Sequence, residues 1–203
     1  MKTIETDYII AGGGMAGLSL AYYLISSKKL TNKRIVLIDK EKKEKNDRTW
    51  CFWQKENTPF EQILCKKWDN VYFGSQNGEL RPLEMGDYSY KMLRGIDFYQ
   101  FVYQKLANYP NVTFVYDTIE KIDSDETNAN VFCQMHSISG EYVFDSTYQL
   151  QVIRQLEKST LLTSHHNLLQ HFKGLVIKTP QSVFDVEKPQ LMNFGIEQHN
   201  ECR

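Results

Sequence analysis

Three glycines and one acid, Gly12, Gly14, Gly17 and Asp39, have the spacing with the plainest chemical meaning in this chain. The segment Gly12-Gly13-Gly14-Met15-Ala16-Gly17 fits G-x-G-x-x-G, and Asp39 follows Gly17 by 22 positions. Gly12 permits a tight turn, Gly14 lacks the Cβ that would hold a pyrophosphate off the backbone, and Gly17 lets a helix pack closely on a strand. A helix starting there aims free N–H groups and the positive end of its dipole at phosphates. Asp39, ending an apolar run, is placed to accept hydrogen bonds from the hydroxyls of an adenosine ribose.

The glycine motif alone occurs in many loops that hold no ligand, so its neighbours decide. The run Tyr8-Ile9-Ile10-Ala11 reads as a strand leading in, and a helix is expected from about Gly14 to Ser27. Arg34-Ile35-Val36-Leu37-Ile38 reads as the second strand, with Asp39 at its C-terminal end. Strand, helix and acid together predict a dinucleotide site.

The other reactive residue types form no comparable pattern. Cys51, Cys65, Cys133 and Cys202 make no C-x-x-C pair and read as reduced, mostly structural thiols of a cytoplasmic protein. Cys51, between Trp50 and Phe52, has no visible activating partner and reads as a packed thiol. His165 and His166 are adjacent and cannot share a helix face, and His171 and His199 are isolated, so no metal site is expected. A net charge of −1 leaves no electrostatic footprint for nucleic acid. No stretch approaches the length of apolar chain that crosses a membrane.

Further along, residues 41–48 are a mixed charge run expected to be a solvated loop. Thr49-Trp50-Cys51-Phe52-Trp53 is too aromatic for a surface loop and reads either as a buried plug or as a pocket wall. Alternation at Val71 and Phe73, the Asn77-Gly78 turn signal, and alternation at Tyr88, Tyr90 and Met92 predict a small inserted β layer at about residues 65–95. Asp97, with Gln100 three residues on, predicts the N-cap of a helix whose face is Phe98, Phe101, Val102 and Leu106. Residues 112–116 and 118–122 read as strand with a bend between them. Val131, Cys133 and Met135 alternate, and Ser139-Gly140 is expected to turn a hairpin back through residues 141–144. Residues 150–172 fit a helical face or strand segments, residues 174–179 a short apolar strand, and residues 181–203 show little periodicity. With no repeat and no linker, residues 1–203 read as one domain.

Four stretches carry a likeness to a known family. They are residues 7–19, Asn46-Asp47-Arg48-Thr49-Trp50-Cys51-Phe52-Trp53, the segment from Tyr90-Lys91-Met92-Leu93-Arg94 through Gly95-Ile96-Asp97-Phe98-Tyr99, and Leu169-Gln170-His171-Phe172-Lys173-Gly174. The first is shared by many flavoenzymes; the middle two are far more specific. Through them the chain resembles the bacterial lycopene β-cyclases, carotenoid-cyclising FAD flavoproteins, along nearly all of its length.

The resemblance implies an α/β fold: a three-layer, ββα-like FAD-type Rossmann domain with the inserted small antiparallel β layer, incomplete at its C-terminus. It implies that Gly12, Gly13, Gly14, Met15, Ala16, Gly17, Asp39 and Lys40 hold the ADP half of FAD. Arg48 and Thr49 would lie near the cofactor, and the backbone around Ile119 would meet the adenine. The implied reaction has no net redox change: an acid protonates a terminal double bond of lycopene or a related linear carotene, the cation closes a β-ionone ring, and a base removes a proton. Reduced FAD, with NAD(P)H as its reductant, would stabilise the cation, and an apolar pocket would exclude water. The substrate dissolves in membranes, so the implied location is cytoplasmic, peripheral at the inner membrane face. The family's usual length and its acidic motif imply that the catalytic acid and base lie beyond residue 203 and that these residues are an N-terminal part, inactive alone. The competing expectations are an FAD-dependent monooxygenase or oxidoreductase, and a non-enzymatic FAD-binding module.

Overall fold

A computed structural model of the chain describes residues 2–30, 32–125, 127–147 and 174–195. The expected helix or strands of residues 150–172, nearly all of the fourth family-like stretch, residues 196–203, and with them Cys202 and the four histidines discussed above, lie outside the described residues.

In chain order, β1 (Lys2–Glu5) and β2 (Tyr8–Ala11) precede helix α1 (Met15–Ser26) and β3 (Ile35–Asp39). Next come β4 (Thr49–Gln54), β5 (Lys66–Trp68), β6 (Tyr72–Gly74), β7 (Leu80–Pro82) and β8 (Ser89–Arg94). Helix α2 (Gly95–Leu106) leads to β9 (Val112–Tyr116), β10 (Ile119–Ser124), β11 (Ala129–Cys133), β12 (His136–Gly140), β13 (Tyr142–Asp145) and finally β14 (Gln190–Asn193).

The central sheet is parallel throughout, in the order β13-β2-β3-β9. Its two inner strands, β2 and β3, are apolar on both faces because both faces are covered. Side chains alternate across a strand. Ile10, Ile35 and Leu37 pack with Leu18 and Ala21 of α1 and with Phe98, Val102 and Leu106 of α2. Their neighbours Ile9, Val36 and Ile38 pack with Val131, Cys133 and Ile138 of a second sheet, ordered β1-β12-β11-β10. Each such side chain, removed from water, contributes about 1.5–3 kcal/mol before entropy is counted.

Several expectations are corrected. The bend after β9 carries the chain from the central sheet to the second sheet, so β9 and β10 do not belong to one strand system. The hairpin turns at Gln134 and Met135, between β11 and β12. Ser139 and Gly140 lie within β12, where a Cβ on Gly140 would meet Ile9 at 3.1 Å and the Asp7 carbonyl at 3.2 Å. That glycine answers a close approach, not a turn. The chain of β13 then pairs parallel with β2 instead of returning in the hairpin.

Asp97 does not cap α2. The helix starts at Gly95, and Asp97 sits in its first turn, where its carboxylate accepts from the Arg94 guanidinium at 2.6 and 2.9 Å. The caps come from far along the chain: the Arg48 carbonyl accepts from Gly95 N–H, and Asn46 Oδ1 accepts from Ile96 N–H. Residues 174–179 form no strand and leave Leu175, Val176 and Ile177 exposed. The aperiodic end supplies β14, which pairs parallel with β6 in the small sheet β14-β6-β7. Strands β4, β8 and β5 form a second small antiparallel sheet, so the excursion between β3 and α2 begins at Thr49.

Candidate functional site

Parallel strands bring their carboxyl ends to one edge, and a cleft opens where strand order reverses, here between β2 and β13. Gly12 follows β2, Lys40 follows β3, Asp117 follows β9, and Ser146 follows β13. All four line one cleft of about 650 Å³.

The glycine turn shows why its residues are glycines. Gly12 has φ +104°, a region that side chains disfavour, and Ser146 Oγ donates to the carbonyls of Ala11 and Gly12 at 3.0 and 2.9 Å. A Cβ on Gly17 would sit 1.9 Å from the Gly12 carbonyl oxygen, so only glycine lets α1 approach β2 this closely. A Cβ on Gly14 would meet nothing within 4 Å, because that position faces the open cleft. Gly14 is the N-cap of α1; no side chain caps this end and no acid occupies the first turn. The dipole and the amides there favour an anion.

Asp39 is tied into the same turn. Its Oδ2 accepts from Gly13 N–H at 2.8 Å, and its Oδ1 is 3.5 Å from Lys43 Nζ. Its carboxylate therefore stands beside the glycine turn with a fixed orientation.

The aromatic block after the charge run builds the opposite wall. β4 pairs antiparallel with β8, bringing the two specific family-like stretches face to face: Thr49 is opposite Arg94 and Trp50 opposite Leu93. Trp50 packs edge-on against Phe98 and Tyr99, with centroids 5.6 and 5.8 Å apart. The Tyr99 hydroxyl donates to Asp47 at 3.0 Å, and burial, reinforced by that carboxylate, pushes the phenol upward from its ordinary value. One turn on, the Tyr103 hydroxyl accepts from Lys43 N–H at 3.2 Å. The charge run is the solvated loop expected, exposed at all but Lys43, and two tyrosines tack it to α2, which brings Lys43, Asp47 and Arg48 to the cleft. The block is a half-exposed strand and not a buried plug: Trp50 and Phe52 pack partly buried against the core and Trp50 lines the cleft, while Trp53 and Cys51, the latter expected to be a packed thiol, are exposed.

The third wall is the bend between β9 and β10, where Asp117, Thr118, Ile119 and Glu120 line the cleft. The Asp117 carboxylate accepts from the N–H groups of Thr118, Met135 and His136 and from the His136 ring, all at 2.8–3.0 Å. An ionised carboxylate only accepts, so Nδ1 of His136 carries the shared proton. Burial pushes the Asp117 carboxyl up, but the His136 ring and the three amides outweigh it and hold it below the ordinary value. Nearby Cys133 is pushed up to about 11, by burial first and then by the charges of Asp117 and Glu120, so it stays a thiol.

Of the residues singled out from sequence, Gly12, Gly14, Met15, Asp39, Lys40, Arg48 and Ile119 line the cleft. Gly13, Ala16, Gly17 and Thr49 do not. Gly13 orients Asp39, Gly17 makes the close packing, Ala16 is exposed on α1, and Thr49 is exposed between Arg48 and Trp50. Sequence reasoning missed Asp117, Ser146 and Thr147, which follow parallel strands. Recognising β13 as parallel would have found the last two.

A family profile described as lycopene cyclase protein matches residues 7–203. No curated protein matches the chain in sequence. Among solved structures, p-nitrophenol 4-monooxygenase PnpA from Pseudomonas putida DLL-E4 is similar at 19% identity and TM-score 0.54, over 70% of this chain and 40% of that one. PqsL from Pseudomonas aeruginosa, described as a probable FAD-dependent monooxygenase, aligns at 16% identity and TM-score 0.53, over 77% and 46%. The halogenase PltM, solved with phloroglucinol and FAD, aligns at 14% identity and TM-score 0.52, over 74% and 36%. These likenesses show a shared fold. The chain spans less than half the length of each.

Proposed function

The chain belongs to the lycopene cyclase protein family, and on that premise we propose that its cleft holds FAD and serves a flavoprotein that cyclises the ends of a linear carotene. The observation that carries the proposal is the convergence of Gly12, Gly14, Asp39, Arg48 and Ile119 on one cleft at the carboxyl ends of the parallel strands. The likeness of fold to FAD-complexed PltM supports the same cofactor.

The residues present fit FAD. The uncapped start of α1 suits the pyrophosphate, with Gly14 giving the backbone room to approach. Asp39 suits the adenosine ribose, and the backbone at Ile119 the adenine. Arg48 adds a cation beside the phosphates, positioned through the bond from Gly95 N–H to its carbonyl. Trp50 and Tyr99 add aromatic surface to one wall of the cleft. Reduced flavin, when bound, supplies negative charge that stabilises a nearby carbocation. The three-layer packing around the central sheet supports an FAD-type Rossmann domain. Substrate delivery from a membrane surface completes the proposal; among the described residues no helix is long and apolar enough to cross one.

Incubating these residues, alone and joined to the C-terminal portion of a full-length family member, with reduced FAD and lycopene in lipid vesicles tests the reaction, the 203 residues alone being expected to give no product. Ring-closed product of unchanged mass, without stoichiometric oxidation of NADPH, supports a cyclase. Oxygenated product coupled to NADPH oxidation would make it a monooxygenase instead.

A further inference from the structure

We infer that Asp117 is a positioning residue for the adenine end of the cleft, holding the backbone of Thr118 and Ile119 where a purine docks. The inference rests on the cofactor reading above and adds to it a residue outside the glycine motif. The Asp117 side chain is only 2% exposed although it borders the cleft. Its four hydrogen bonds reach the bend itself and the distant hairpin: Thr118 N–H on one oxygen, and Met135 N–H, His136 N–H and His136 Nδ1 on the other. Its own N–H donates to the Asp39 carbonyl at 2.9 Å, and Gln134 N–H donates to the Thr118 carbonyl at 3.2 Å. The acid that would meet the ribose and the backbone that would meet the adenine are therefore joined through one residue.

The stretch it holds is irregular for a reason. The pairing of β10 with β11 slips between Ile119 and Lys121, a bulge that breaks the ladder at Glu120. Bulges aim backbone and side chains away from the regular pleat and recur beside binding sites. Left unanchored, a bulged strand start with one exposed face would sample several conformations. A buried carboxylate with four donors selects one, and hydrogen bonds to a charged acceptor are the stronger kind. The charged and titratable groups around Asp117 are His136 on β12, Cys133 on β11, Glu120 on β10 and Asp39 on β3; only His136 offers a matching donor.

Asp117→Ala, Asp117→Asn and His136→Gln, compared with wild type, test this. ADP is the adenine-bearing probe and inorganic pyrophosphate the adenine-free one, both titrated calorimetrically, with melting temperature and amide exchange at residues 117–120 measured alongside. Asp117→Ala should weaken ADP about tenfold, leave pyrophosphate within about twofold, and speed exchange at the bend. Asp117→Asn, whose remaining carbonyl still accepts from Met135 and His136, should recover part of the loss. His136→Gln, which keeps every backbone donor, should cost ADP only about threefold. Equal weakening of ADP and pyrophosphate would make Asp117 a general structural residue. Unchanged ADP affinity despite faster exchange, or in a folded Asp117→Asn variant if the alanine variant does not fold, would also overturn the inference. A folded wild type that binds neither ADP nor FAD would instead defeat the cofactor reading on which it rests.

Discussion

The central sheet and the small sheet β14-β6-β7 are held together by opposite means. Ile9, Ile10 and Ile38 are completely buried, covered by helices on one face and a second sheet on the other. Every residue of β7 and β14 is exposed, and each of those strands is three or four residues long. What fixes the small sheet and its flank is a handful of contacts: the Phe73–Phe194 ring pair at 5.3 Å, Lys66 to Glu187 at 2.6 Å, and the Trp68 indole donating to the Val186 carbonyl at 2.8 Å. The cleft is built on the two-sided core, so its geometry is set by packing, while the small sheet's is set by edges. Sites placed on rigid elements hold their geometry best.

The contrast can be broken by truncation. Phe98→Ala, in the helix layer beneath the cleft wall, should cost about 3–5 kcal/mol in urea denaturation, whereas Leu80→Ala in β7 should stay within about 0.5 kcal/mol. Similar losses at both sites would mean that the small sheet shares the core's cooperativity.

A smaller, directional effect is expected where the two kinds of construction meet. Lys91 of β8 is fully buried and donates to Gln54, to the Glu56 carbonyl and to Glu61. Glu61→Ala would leave that ammonium short of its anion and should cost about 2 kcal/mol, reduced from the usual cost because Glu61 is partly exposed. Lys91→Met, which removes the buried charge and keeps the volume, should cost less. The reverse order by thermal denaturation would contradict this.

Acid should sharpen the comparison further. The Asp117 carboxyl is held below its ordinary 3.8 in the folded chain, so its contribution is complete above that value and disappears as pH falls through the folded one. The stability gap between wild type and Asp117→Asn should narrow in strong acid, as pH falls through the folded value. A gap that instead opened on acidification would reverse the sign.

Legibility in the sequence follows the same division. The strand–helix–strand unit could be read because local chemistry determines it: Gly12 by its positive φ, Gly17 by its contact with the Gly12 carbonyl, Asp39 by its place at a strand end. Arg48 and Ile119 came from family resemblance, with no local signal of their own. What was misread depended on partners far along the chain. Gly140 looked like a turn because its actual reason, contact with Ile9, lies 131 positions away. Asp97 looked like a cap because Asn46 and Arg48, the groups that do cap α2, belong to another stretch. The tyrosines at 99 and 103 turn a charge run into a cleft wall through hydrogen bonds that no periodicity encodes.

The most direct test of the cofactor assignment is the visible spectrum of the purified protein after incubation with FAD and desalting, for wild type and Asp39→Ala. Retained flavin bands in wild type, and their loss in a folded Asp39→Ala variant, are the predicted result. A folded wild type that keeps no flavin, or that retains NAD and not FAD, would contradict it.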